Sequence, residues 1–184
     1  MDKRIVKTDA AIYKAFGDCL KEKDYTSISV EDILKKANVS RSTFYAHFKT
    51  KDDVLDSLLH NIFHHVFSKT LNQEESHDFS KESVLEYRHL FTHVLYHLKD
   101  EEELVRTILG SSCKDRFLDE IRHEMTPLIE RVIFQEVFPR KDVPVYLQTS
   151  QTMESFIVLI VYWFGNGCRL TPEEMTEFYV VMNS

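Results

Sequence analysis

The stretch that decides the fold is SVEDILKKANVSRSTFYAHFKTK, residues 29–51. Ser29 can cap a helix whose first turn carries Glu31 and Asp32, where the helix dipole favours acid. Ile33, Leu34 and Ala37 then recur at helical spacing, so a short second helix is expected from about Val30 to Ala37. Asn38-Val39-Ser40 is a three-residue turn. Asn tolerates the left-handed backbone that ends a helix, and Ser40 can cap the next one. A third helix is expected from about Arg41 to Phe48. Phe44 and Phe48, four apart, point to the core with Ile33, Ala37 and Val39, while Arg41, Ser42, Thr43 and Ala46 share the outward side. Two short helices joined by three residues, the second polar on its outer face, form a helix-turn-helix arrangement.

Chemistry follows from that outer face. Arg bonds guanine bidentately, and Ser or Thr reaches several base edges or a thymine methyl. Tyr45, His47, Lys49 and Lys51 flank the surface and suit phosphates, as do the first backbone N–H groups of a fourth helix opening near Lys51. Lys3, Arg4 and Lys7 form a basic arm. Charge supports the reading. The chain of 184 residues has a net charge of −7, yet residues 1–51 hold 11 Lys/Arg against 7 Asp/Glu, and residues 52–184 hold 12 against 23. A polyanion-binding head on an acidic body is the pattern this asymmetry describes.

The run from Ser29 to Leu55 closely resembles the head of TetR/AcrR-type transcriptional regulators. The matching positions are Ala37, Val39 and Ser40, Thr43-Phe44-Tyr45, His47-Phe48 and the Lys51 that opens the fourth helix. The resemblance implies an all-α homodimer with a three-helix DNA-binding head and a six-helix regulatory and dimerisation body. By position it implies that Ser40 caps the recognition helix and touches a phosphate. Arg41, Ser42 and Thr43 would face bases, and Tyr45, His47 and Lys51 would hold phosphates. Two usual glycines are replaced by Asp24 and Asn38; both types tolerate positive φ, so both turns are expected to survive.

Outside the head the apolar spacing gives a first helix from about Asp9 to Lys23 with Thr8 as cap, and a fourth from about Lys51 to Lys69. Asn72 to Phe79 reads as a loop. Further helices are expected at about 81–98, 101–109, 115–137 (with Pro127 inside), 146–164 and 172–182. The domain expectation is a head at 1–51 and a sensing and dimerising body at 52–184, with helix four bridging. No convincing strand pattern occurs. The run Phe156–Phe164 is apolar all round and needs cover on both sides. A second subunit is one cover and a one-chain core is the other. The dimer reading names Phe156, Leu159, Ile160, Trp163 and Met175 as interface. The resemblance places an effector pocket in the body, for which Phe63, Phe67, Tyr87, Phe91, Phe117, Met125 and Trp163 are candidates against plain core.

His89, His93 and His97 repeat every fourth residue, as do His60 and His64. Such pairs can bind a transition metal. No paired cysteines or HExxH motif accompany them, so metal sensing is kept as an alternative and no cofactor or resident metal is expected. No catalytic residues are named. Phe156–Phe164 is far shorter than the about 20 residues a membrane span needs, and no leader-type apolar segment follows Met1-Asp2-Lys3-Arg4. A cytoplasmic protein without membrane contact is expected. Its partners would be operator DNA, an unknown small-molecule effector and a second copy of itself. The principal reading is a ligand-responsive repressor on a palindromic operator. A relative acting mainly through protein contacts and a helical metalloenzyme are the rivals.

Overall fold

A computed structural model describes residues 3–68, 87–134 and 142–184, and the side chains of residues 6–62, 88–130 and 142–184. Among the described residues there are nine α-helices and no strand. In chain order they are α1 Lys3–Glu22, α2 Val30–Ala37, α3 Arg41–His47, α4 Lys51–Ser68, α5 Tyr87–Asp100, α6 Glu102–Leu109, α7 Lys114–Phe134, α8 Val145–Gly165 and α9 Pro172–Asn183, with a 3₁₀ turn at Tyr25–Ser27. The expected loop at 72–79, the start of α5 before residue 87 and the end of α7 after residue 134 lie outside the described residues. The first helix begins earlier than the spacing predicts. Thr8 lies inside it rather than capping it, because Lys3 to Lys7 continues the helix without a breaking residue. None of the described helices is long and apolar enough to cross a membrane.

The chain divides into two compact units. The first contains residues 1–61 and 103–117, and the second residues 62–102 and 118–184. In the first, α1 packs on α2. Ile12, Phe16, Ile33, Phe44, Val54 and Leu55 are fully buried there. Tyr13 meets Phe48 edge-on at 5.9 Å, and Phe16 meets Tyr25 edge-on at 6.2 Å. A Cβ on Gly17 would stand 3.3 Å from Leu104, so the glycine lets α1 approach α6 closely.

The turns of this unit are held by short polar side chains. Ser29 and Asp32 form a reciprocal capping box: the Ser29 amide donates to Asp32 at 2.8 Å, and the Asp32 amide donates to the Ser29 hydroxyl at 3.3 Å. Asn38 takes φ 53°, ψ 44°, the left-handed conformation expected of it. Asp24 behaves otherwise. Its φ is −61° and its ψ 148°, so the turn needs no glycine-like backbone. Its carboxylate instead caps the 3₁₀ turn, accepting from the Thr26 amide at 3.1 Å, and it accepts from the Ser112 amide and hydroxyl at 3.1 and 2.7 Å.

In the second unit α9 packs on both α5 and α8. Phe91, Phe156 and Tyr179 form its aromatic centre, with Phe91 and Tyr179 centroids 4.4 Å apart. The Trp163 indole donates to the Leu170 carbonyl at 3.0 Å, and the Tyr179 hydroxyl to the Thr152 carbonyl at 3.1 Å. Gly167 at φ 72° carries the chain out of α8. Thr171, Pro172 and Glu174 then start α9 as a capping box with proline in the first turn.

Candidate nucleic-acid interface

The α2–turn–α3 element stands on the buried ring of Phe44. Phe48 tilts against it at 5.9 Å, and both leave the other side of α3 to solvent. On that side Arg41, Ser42, Tyr45 and Ala46 are exposed. Ser40 caps the helix: its hydroxyl accepts from the Thr43 amide at 3.1 Å and lies 2.7 and 2.9 Å from the Thr43 and Ser42 hydroxyls. Three hydroxyls therefore cluster at the helix N-terminus. Arg41 keeps 63% of its side chain exposed and pairs with Glu31 at 2.5 Å. An exposed pair of this kind is worth little, so the guanidinium can exchange Glu31 for another acceptor.

The flanking residues differ more from the expectation. Tyr45 is half exposed, with its ring edge-on to Phe44. His47 is part-buried, its Nδ1 2.6 Å from Asp9. The Lys51 ammonium lies 4.5 Å from the centre of the Tyr25 ring and donates to the carbonyls of Tyr25, Ile28 and Thr26 at 2.7, 2.9 and 3.3 Å. An ammonium has three N–H groups, and all three are used within the protein. Asp53 accepts from the Lys49 and Thr50 amides at 2.8 and 2.9 Å, so these two donors at the start of α4 are also engaged. The cation that spacing assigns to a phosphate is thus a brace on the loop between α1 and α2.

This gives a stability prediction. Lys51→Ala leaves three carbonyls without their charged donor, and hydrogen bonds to charged groups contribute about 1.5–3 kcal/mol. A loss of about 2 kcal/mol in urea unfolding is expected, and Lys51→Arg should not restore it fully because a planar guanidinium cannot match three convergent carbonyls. Unchanged stability with weakened DNA binding would instead assign Lys51 to phosphate.

Several carboxylates of this unit are held below their ordinary value. Asp32 is lowered first by Lys23, 2.7 Å away, and then by Ser29. Asp24 is lowered by Thr26 and Ser112, and Asp53 by the Lys49 and Thr50 amides. A depressed folded pKa contributes stability that is present above the unfolded value of 3.8 and is lost as pH falls through the depressed values. Denaturation curves should therefore be nearly level in this contribution above pH ~5 and fall below pH ~4. Asp24→Asn with Asp32→Asn should flatten that acid slope; an unchanged slope would contradict the assignment.

In the second unit the residues expected at an interface lie inward. Phe156, Leu159, Ile160, Trp163 and Met175 are all buried within the single chain. The reason is local: α9 and α5 of the same chain cover that side of the second unit. The apolar groups left in solvent are others. Val158 and Tyr162 on α8 are 58% and 54% exposed, and Phe178, Val181 and Met182 on α9 are 46%, 73% and 44% exposed. Sequence alone does not separate them, since Val158 and Ile157 are equally apolar. Of the pocket candidates, Phe91, Met125 and Trp163 are buried in the second unit and Phe117 is buried in the first. The side chains of Phe63, Phe67, Tyr87 and His64 lie outside the described residues.

Residues 12–58 match the sequence pattern of "Bacterial regulatory proteins, tetR family", and residues 86–183 match that of a "Transcriptional regulator C-terminal region". An uncharacterized HTH-type transcriptional regulator of Bacillus subtilis is 43% identical over 60 residues, 32% of this chain and 16% of that protein. The HTH-type dhaKLM operon transcriptional activator DhaS of Lactococcus lactis is 38% identical over 53 residues, 29% of this chain and 28% of that one. These matches span less than a third of either relative. A solved TetR transcriptional regulator from Streptococcus agalactiae superposes with a TM-score of 0.75 at 29% identity, covering 100% of this chain and 97% of that one.

Proposed function

Because the chain belongs to the TetR family of bacterial transcriptional regulators, we propose that it is a homodimeric repressor that binds a palindromic operator through α3 and releases it in response to a small molecule. DNA binding and transcription regulation come with the family; the dimer, the sign of regulation and the effector are the proposal. The observation that carries it is the division of α3. Phe44 and Phe48 anchor one side, and Arg41, Ser42 and Tyr45 are presented on the other. Arg41 and Ser42 are assigned to base edges, with Thr43 beside them through the hydroxyl cluster. Ser40 and Tyr45 are assigned to phosphates. His47, fixed through Nδ1 by Asp9, would offer its other ring nitrogen.

A second copy of the chain is assigned to the exposed apolar stripes of α8 and α9. Val158 and Tyr162 are four apart, and Phe178, Val181 and Met182 follow the same helical spacing. Exposed groups of this kind, grouped on neighbouring helices, mark association surfaces. Pairing places two heads at one helical turn of DNA, ~34–36 Å, which is how such heads read a palindrome. Repression needs only occupancy of the operator, whereas activation needs a further contact with the transcription machinery. The relative named as an activator is 38% identical over only 53 residues, 29% of this chain, so its sign is not carried over. The effector acts by binding one of two head spacings better than the other.

The test is selection of bound fragments from a genomic library, followed by footprinting. A two-fold symmetric site, protected by wild type and lost with Arg41→Ala plus Ser42→Ala, supports the reading. Binding that persists unchanged in that variant overturns it.

A further inference from the structure

Glu31 and Arg41 form a bridge across the turn of the helix-turn-helix. Glu31 stands in the first turn of α2, and Arg41 is the first residue of α3. Arg41 Nη2 donates to Glu31 Oε1 at 2.5 Å, and the two side chains are 63% and 65% exposed. The neighbouring acid has other work: Asp32 closes the capping box with Ser29 and pairs with Lys23 at 2.7 Å. Glu31 takes no part in that cap. Its carboxylate instead meets an arginine on the surface that α3 presents. A negative charge there is repelled by the phosphates of any DNA sequence.

We propose that Glu31 is a positioning residue that sets sequence preference by holding the Arg41 fork for a guanine. The proposal rests on the assignment of Arg41 to base edges.

The shape of a guanidinium permits both contacts at once. Its five N–H donors lie in one plane, and Nη2 carries two of them. One belongs to the edge shared with Nε, the other to the edge shared with Nη1. Whichever hydrogen Glu31 accepts, the other edge keeps two parallel donors, as guanine O6 and N7 require. Arg41 need not leave Glu31 to read a base. In water the exposed pair is weak. In a DNA groove the surrounding water is displaced, and the same attraction is less screened. An unheld arginine loses its rotamers on contact. Holding it beforehand removes part of that cost, roughly 2- to 12-fold in affinity per half-site. The gain exists only where guanine is in place, because no other base offers the fork two acceptors. Glu31 thus weakens binding to DNA in general and widens the gap between right and wrong sequences, which is how a repulsive group serves specificity.

The experiment measures the affinity of the full chain for the palindromic duplex that wild type selects, and for each version of it changed symmetrically at one base pair per half-site. The readout is the ratio of the two affinities, in which general repulsion cancels. Arg41→Ala identifies the base pair that Arg41 reads as the one whose ratio it collapses. At that pair Glu31→Ala should lower the ratio roughly 4- to 150-fold, the square of the single-site value. Its ratios at other positions should hold, and its binding to unrelated duplex should tighten. Added to Arg41→Ala, it should change nothing further at that pair. The exposed Glu31 side chain is not needed for folding, and circular dichroism verifies this. If Arg41→Ala loses the preference and Glu31→Ala keeps it, the proposal alone is overturned. If Arg41→Ala keeps every preference, the base assignment of Arg41 falls and the proposal with it. A further fall in the double variant would make Glu31 a reader of bases itself, which also overturns the positioning role.

Discussion

Trp163→Ala is expected to destabilise the second unit by about 3–5 kcal/mol, the range for removing a buried large aromatic. Trp163 is 1% exposed, and its ring meets Phe164 at 5.4 Å. Its indole N–H also satisfies the Leu170 carbonyl in the exit from α8. The variant therefore loses packing, gains a cavity and leaves a backbone acceptor unpaired. Chemical denaturation gives the size of the loss, and hydrogen exchange in α8 and α9 gives its location. A Trp163→Ala protein of wild-type stability would return this residue to an interface role.

Tyr162→Glu combined with Val181→Glu should have the opposite signature. Both side chains are more than half exposed in the single chain, so folding does not require them to be apolar and helicity should stay at the wild-type level. A paired surface would have to bury two new charges on each copy, which is costly without partners. On the proposed pairing, wild type should sediment as a dimer and the variant, at the same concentration, as a monomer. Its affinity for a palindromic site should fall roughly 10²–10⁴-fold, because the second head no longer binds as part of the same molecule. A variant that remains dimeric would show that the copies meet elsewhere.

These two predictions divide α8 in a way its sequence does not. A helix apolar all round announces that it is covered, but Ile157, Val158, Leu159 and Ile160 carry no mark of which neighbour covers which side. That is decided by α5 and α9 of the same chain. The head was more legible because its signals are local. Ser29, Asn38 and Ser40 act within three or four residues of themselves, so the helix-turn-helix boundaries follow from the chemistry of the caps. What spacing leaves unread there is long-range. Asp24 looked like a substitute for glycine, yet its partner Ser112 is 88 residues away. Lys51 has the spacing of a phosphate ligand, but the loop that receives its ammonium lies 23 to 26 residues earlier. Long side chains are the least predictable from spacing, since the same lysine reaches outward or inward with little change in backbone.

The central claim is that α3 carries an operator-binding surface. It is tested most directly by measuring affinity for the selected palindrome as salt rises from 50 to 200 mM, for wild type and for Arg41→Ala. Neutralising 6–10 phosphates across a dimer predicts a fall of roughly 10³–10⁵ over that range. Losing one bidentate base contact in each half-site predicts a further penalty of about 1–3 kcal/mol per site, with relaxed preference at that base pair. A flat salt response together with an unchanged Arg41→Ala affinity would contradict the account.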